Sequence, residues 1–192
     1  MSTQPKTFIT PEQYLEIERK AEYKSEYYRG EMFAMAGAQE GHNVAAGNVH
    51  TTLNLQFRGR PCRVYTSDMR IHIPATGLYT YPDIAAVCGE RKFQDGRVLD
   101  TLLNPTLIVE VLSPSTEAYD RGRKFEHYQS IDSLRQYLLV SSDRIRADLF
   151  TRQSDNLWTL VSASRLEDTL DLESIGCRLA LTDVYENVDL PQ

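Results

Sequence analysis

Apolar and polar positions along this 192-residue chain change period several times, and each change marks an element. Thr10-Pro11-Glu12-Gln13 opens a helix. Thr10 can cap it, Pro11 suits its first turn, and Gln13 completes a capping box. Tyr14, Leu15 and Ile17 give this helix an apolar face that fades between Ala21 and Lys24. Ser25–Tyr28 and Met32–Met35 flank Arg29-Gly30-Glu31, which predicts a hairpin with Gly30 in its turn. Val44, Ala45, Val49, Leu53 and Phe57 recur at helical spacing, so a helix is expected from His42 to Phe57, ended by Gly59 and Pro61. Cys62 to Pro74 reads as extended, and Tyr79 to Cys88 as one strand. A charged connection holding Asp95-Gly96 leads to the apolar run Pro105–Leu112. Ser115 or Thr116 then caps a helix carrying Tyr119 to Ile131. Gln136–Ser141, Ile145–Thr151 and Leu157–Val161 are separated by polar turns and predict an antiparallel meander. Leu170-Asp171-Leu172 adds a strand, and Thr182 or Asp183 caps a last short helix.

Helices and strands alternate too irregularly for a doubly wound nucleotide-binding fold, and no GxGxxG occurs. The expected class is α/β (α+β), a mixed sheet flanked by helices with a C-terminal antiparallel extension. The length suits one domain spanning 1–192.

Composition changes the picture in three places. The net charge of −6 speaks against a protein that coats nucleic acid, but it leaves room for a cleft with its own local potential. Arg58, Arg60, Arg63 and Arg70 read as a solvated basic face, and Arg121, Arg123 and Lys124 form a second basic group. The three cysteines, Cys62, Cys88 and Cys177, are odd in number and widely spaced, so reduced thiols are expected rather than a disulfide. No stretch approaches the roughly 20 apolar residues of a membrane span, and Met1–Thr10 has no signal-type apolar core. A cytoplasmic protein, away from membranes, is the expectation.

The chemistry centres on Glu110. It interrupts Leu107-Ile108-Val109-Glu110-Val111-Leu112, a run that reads as a strand buried on both faces. A carboxylate there is expensive unless something pairs with it. Asp83 stands at the mouth of another apolar strand, Ile84-Ala85-Ala86-Val87. If the two strands are antiparallel neighbours, Asp83 falls opposite Glu110, with Cβ atoms roughly 4.5–5.5 Å apart. Carboxylates so placed repel unless a cation lies between them, and a hard divalent ion, Mg²⁺ or in its place Mn²⁺, prefers such oxygen ligands. Lys124 on the following helix would orient water or stabilise charge developing on a phosphate. Asp120 and Tyr128 lie four residues either side of Lys124 and share its face; Asp120 would hold the lysine in place. The pattern points to metal-assisted phosphodiester hydrolysis.

Several segments in this order resemble the Uma-two family of proposed bacterial restriction endonucleases. They are Tyr28-Arg29-Gly30-Glu31-Met32-Phe33-Ala34-Met35-Ala36-Gly37-Ala38 with His42 beyond it, Tyr81-Pro82-Asp83, Val109 to Thr116, and Asp120 to Tyr128. The resemblance runs from about Thr10 to about Tyr185. It implies the PD-(D/E)xK nuclease superfamily, a restriction-endonuclease-like core, and Mg²⁺-dependent cleavage of DNA. By the same resemblance Asp83 and Glu110 match the metal-binding acids, and Glu31 matches the acid from the N-terminal part of the fold. His42 and Tyr128 fall in supporting roles. The superfamily places its lysine two residues after the strand acid, where this chain has Leu112, so Lys124 stands as the migrated substitute.

A second class is a non-catalytic relic of the fold that binds nucleic acid or serves assembly. The acidic net charge and Leu112 favour it; Asp83, Glu110 and Lys124 together oppose it. No GxSxG and no matched Cys–His arrangement supports acyl transfer. A homodimer is expected on the nuclease reading, because cutting both DNA strands needs two sites and the meander offers edge strands.

Overall fold

A computed structural model describes residues 8–191. The reading of the first residues as free of a signal segment therefore lies largely outside the described residues. In chain order the elements begin with α1 (Pro11–Glu18), β1 (Ser25–Tyr28), β2 (Glu31–Ala34) and α2 (Glu40–Gln56). The strands β3 (Cys62–Thr66), β4 (Arg70–Ile73), β5 (Leu78–Thr80), β6 (Ile84–Cys88), β7 (Thr101–Leu102) and β8 (Leu107–Leu112) follow. Next come α3 (Glu117–Tyr119), a π-helical turn (Asp120–Lys124) and α4 (Phe125–Gln129). The chain continues through β9 (Gln136–Ser141), β10 (Ala147–Arg152), β11 (Trp158–Ala163), β12 (Thr169–Leu172), β13 (Cys177–Ala180) and α5 (Leu181–Val184).

The strands form a six-stranded sheet ordered β11-β10-β9-β8-β6-β3 and a five-stranded sheet ordered β2-β1-β5-β4-β7, with β12 and β13 as a separate hairpin. β8 and β9 are parallel, while β6 and β8 are antiparallel, so the larger sheet is mixed. The meander β9-β10-β11 is antiparallel throughout. This is the α+β architecture the pattern implies.

Strand alternation splits the central strands between two cores. Leu107, Val109 and Val111 of β8 pack with Ala45, Val49 and Leu53 of α2 and with the C-terminal hairpin. Ile108 and Leu112 pack on the opposite face with Phe125, Tyr128 and Tyr137 and with Ile71 and Leu78 of the smaller sheet. Glu110 lies between Ile108 and Leu112 and therefore faces this second core. A third cluster joins Tyr14 and Leu15 of α1 to Tyr27 and Tyr79. The capping box at Thr10 and Gln13 is present, and the β1–β2 turn is Arg29-Gly30 with both residues at positive φ. Two positive φ values suit a two-residue hairpin, and Gly30 meets that need without strain.

Five expectations need correction. The strand read from Tyr79 to Cys88 is two strands in different sheets, because the chain crosses over at Tyr81-Pro82-Asp83, where Pro82 has no N–H for a ladder. The helix read from Tyr119 to Ile131 is interrupted by the π turn and ends at Gln129, and Thr116 makes no side-chain cap bond. The last helix has Ala180 at its cap position, not Thr182 or Asp183. Arg70 is not part of a solvated face: it is 3% exposed and bonds to Thr101, Tyr81 and Asp100. Cys62 and Cys88 form a disulfide, leaving Cys177 free and buried. They are direct partners in the β3–β6 register, a closeness that their separation of 26 residues conceals. Among the described residues no helix is long and apolar enough to cross a membrane.

Candidate active site

The β6–β8 ladder pairs Ile84 with Val109 and Ala85 with Ile108, so Asp83 and Glu110 are the next pair outward. There the backbone ladder gives way to side chains. The Val111 amide donates to Asp83 Oδ2 at 2.7 Å, and the Asp83 amide donates to Glu110 Oε2 at 3.3 Å. Each acid thus satisfies a backbone donor that the crossover at Pro82 would otherwise leave unpaired.

The other oxygen of Glu110 faces the helical segment. Its Oε1 accepts from Tyr128 Oη at 2.8 Å and lies 2.9 Å from Lys124 Nζ. Lys124 Nζ is also 3.5 Å from Asp120 and 3.7 Å from Glu26. The π turn accounts for this convergence. Its wider coil turns Asp120 and Lys124 inward together, leaving them 4% and 5% exposed, and such turns concentrate at functional sites. Tyr137, from β9, braces the turn by donating its hydroxyl to the Asp120 carbonyl at 3.0 Å.

His42, in the first turn of α2, reaches Asp83 from the other side: its Nε2 is 3.1 Å from Asp83 Oδ2, while its Nδ1 is buried without a partner. Burial works against the protonated ring, but the Asp83 carboxylate outweighs it and raises the pKa. Burial pushes the Glu110 carboxyl up to about 8; Lys124 opposes that shift, and Asp120 and Asp83 reinforce it. Burial likewise raises Asp120, against the pull of Lys124. Lys124 itself is held protonated: burial disfavours its charge, but Glu110, Asp120 and Glu26 together raise its pKa well above the ordinary lysine range.

These groups line a cleft of about 560 Å³ between the two sheets, the 33–39 segment and Ser113–Thr116. Its charged wall consists of Glu26, Asp83, Glu110 and Asp120 against Lys124 and His42. The excess of carboxylates and the all-oxygen donors Asp83 and Glu110 suit a hard divalent cation. Among the described residues no three His, Cys, Asp or Glu side chains are grouped to hold an ion unaided, so a cation here would complete its coordination with water and substrate oxygen.

The structure brings Asp83, Glu110, Lys124, His42, Asp120 and Tyr128 together. Glu31 is not among the residues lining the cleft; the hairpin acid that lines it is Glu26. Strand alternation points Glu26 to the cleft, where it receives the Thr80 hydroxyl in a very short contact and approaches Lys124. Its one trace in the sequence is a charge between the residues of an otherwise aromatic strand, Ser25-Glu26-Tyr27-Tyr28. Leu112, at the position where the superfamily lysine is expected, is 2% exposed and packed in the second core.

The chain matches the Uma2 family, described as "Putative restriction endonuclease", over residues 11–182, and it belongs to that family. Two uncharacterized proteins of Synechocystis sp. are similar to it. The protein slr1290 is 37% identical over 180 residues, covering 94% of this chain and 93% of that protein. The protein sll1609 is 36% identical over 152 residues, covering 79% and 85%. A crystal structure from Anabaena variabilis, described as a "putative nuclease belonging to DUF820", shares the fold with a TM-score of 0.75 at 17% identity, over 92% of this chain and 97% of that one.

Proposed function

We propose that this protein is an Mg²⁺-dependent endodeoxyribonuclease that hydrolyses DNA phosphodiester bonds in the cleft of Asp83 and Glu110, with Mn²⁺ able to substitute. The family description supports nuclease chemistry. The observation that carries the reading is the Asp83–Glu110 pair at adjacent strand ends with Lys124 Nζ 2.9 Å from Glu110.

On this reading Asp83 and Glu110 hold the ion. When bound, the ion neutralises phosphate charge and acidifies water. Lys124 presents its ammonium to the non-bridging phosphate oxygens, where negative charge grows in the transition state. Its move from Glu110 toward phosphate exchanges one anionic partner for another, so the lysine never faces the buried site unpaired. Asp120 and Glu26 fix the approach of Lys124. Tyr128 fixes the rotamer of Glu110, and His42 fixes that of Asp83. A homodimer belongs to this reading. The outer strand of the larger sheet, β11, supports it, since Leu160 and Val161 are both at least half exposed on an unpaired edge.

One observation favours a second reading, a non-catalytic nucleic-acid-binding or assembly module. Glu110 Oε1 is engaged by both Lys124 and Tyr128, as a purely structural ion pair would be. Conversion of supercoiled plasmid to nicked or linear product separates the two. The nuclease reading predicts product with Mg²⁺ or Mn²⁺, none with EDTA, and none from Asp83→Ala or Glu110→Ala. Cleavage that survives EDTA and both substitutions contradicts the assigned site, and no cleavage under any of these conditions favours the module.

A further inference from the structure

A second cavity, of about 260 Å³, opens beside the cleft. Glu26, Phe33 and Tyr119 line both spaces, so the two share a wall. Its remaining wall includes Tyr28, Arg123 and His127. The mechanism above uses none of the aromatic residues among these.

The lining is aromatic with polar edges. Tyr28 and His127 meet edge to face at 4.9 Å between ring centroids, which fixes both rings as a floor. Phe33 and Tyr119 are 49% and 37% exposed, so both rings are partly accessible from solvent. Glu26 brings a hydrogen-bond acceptor, and Arg123 and His127 bring donors. Tyr119 links the spaces directly: its ring centroid lies 6.0 Å from Lys124 Nζ, and its hydroxyl donates to Glu26 Oε2 at 3.4 Å.

We propose that this cavity takes a single unpaired nucleobase, stacked on Tyr119 and Phe33, from the nucleotide whose phosphate lies in the cleft. The proposal rests on the nuclease reading for its phosphate. Three features point to a base. The cavity adjoins a phosphate-type site at the reach of one lysine-to-ring step. Its lining includes the partly exposed aromatic rings of Phe33 and Tyr119, and bases stack on aromatic rings whatever their identity. Its edge groups are the Glu26 carboxylate, the Arg123 guanidinium and the His127 imidazole, which match the amino and carbonyl groups of base edges. A base paired within a duplex cannot enter a walled pocket, so the preferred substrate has a bulged, mismatched, frayed or single-stranded nucleotide at the cut.

The test uses two otherwise identical oligonucleotide duplexes, one fully paired and one with a single bulged 2-aminopurine. Each is titrated with the full-length protein with Ca²⁺ in place of Mg²⁺. Stacking on one or two rings predicts about tenfold tighter binding of the bulged duplex and quenching of its fluorescence on binding. Phe33→Ala, a half-exposed position where truncation leaves the core intact, and separately Tyr119→Leu should remove both the preference and the quench. Equal affinity for the two duplexes, or a preference that both variants retain, overturns the proposal. Plasmid cleavage assayed in parallel keeps the two ideas distinct. Cleavage without bulge preference removes the base pocket and leaves the nuclease. Bulge preference with quenching but no cleavage leaves the pocket and removes the nuclease.

Discussion

Asp83 and Glu110 exchange roles across a strand end: the Asp83 amide donates to the Glu110 carboxylate, and the amide that follows Glu110, that of Val111, donates to the Asp83 carboxylate. The two acids are therefore part of the sheet as well as of the cleft. Substituting either one removes a partner from a part-buried backbone donor, a loss of about 1 kcal/mol. Asp83→Ala and Glu110→Ala should each lower stability by that order in urea unfolding, quite apart from any effect on catalysis. An unchanged unfolding midpoint for both would show that the reciprocal bonds contribute nothing.

Lys124 is enclosed by Glu110, Asp120 and Glu26. Lys124→Met leaves buried carboxylates without their cation, and breaking a buried pair in this way costs about 3–5 kcal/mol. Because Glu110 is raised to about 8 even beside Lys124, the expected result is a loss of stability that is largest at pH 8 and shrinks as the pH is lowered and the carboxyls protonate. Urea unfolding at pH 5 and pH 8 reads this directly; an equal loss at both would contradict it.

Tyr128→Phe deletes the hydroxyl that donates to Glu110 Oε1 and keeps the packing of the ring. Lys124 still holds that oxygen, so the loss should be modest, about 1–2 kcal/mol. On the nuclease reading, cleavage should slow by less than in Glu110→Ala. Complete loss of cleavage in Tyr128→Phe with the fold intact would assign the tyrosine a direct chemical role.

His72 supplies a pH dependence away from the cleft. Its ring stacks on Tyr79 at 3.9 Å between centroids, its Nδ1 is buried without a partner, and burial lowers its pKa from 6.5 to about 4. The folded state holds the proton more weakly than the unfolded chain. His72 therefore contributes stability above pH 6.5, and the contribution fades as pH falls toward 4. After allowance for partial solvent access the effect is about 2 kcal/mol. His72→Gln should flatten the stability curve between pH 6.5 and 4 relative to the wild type, by chemical denaturation at stepped pH. Parallel curves would contradict the assignment.

The sequence exposes most of this architecture because most of it follows from local pattern. Glu110 stands out as a charge in a strand whose two faces are both core, and antiparallel counting from Cys88 and Pro105 places Asp83 opposite it. The β1–β2 hairpin, α2 and the meander each carry their own periodicity and turns. What escapes is what depends on partners far away in sequence. The crossover at Pro82 joins two sheets, and the residues from Tyr79 to Cys88 do not by themselves reveal which strand pairs with which. The π turn is one residue wider than a helix, a difference that side-chain spacing over ten residues cannot resolve. The Cys62–Cys88 bond is a consequence of register, and Arg70 is buried by Asp100 and Tyr81, which approach from other elements. Glu26 and Glu31 are both acids of one hairpin, and strand geometry rather than residue type directs Glu26 to the cleft.

The proposed nuclease chemistry requires that Asp83 and Glu110 share one divalent cation. Crystals soaked in Mn²⁺, with anomalous differences measured at the manganese absorption edge, test it most directly. A shared ion gives one peak within coordinating distance of carboxylate oxygens from both residues, absent in Glu110→Ala crystals. A peak bound elsewhere, or no peak at Mn²⁺ concentrations that support cleavage, would contradict it.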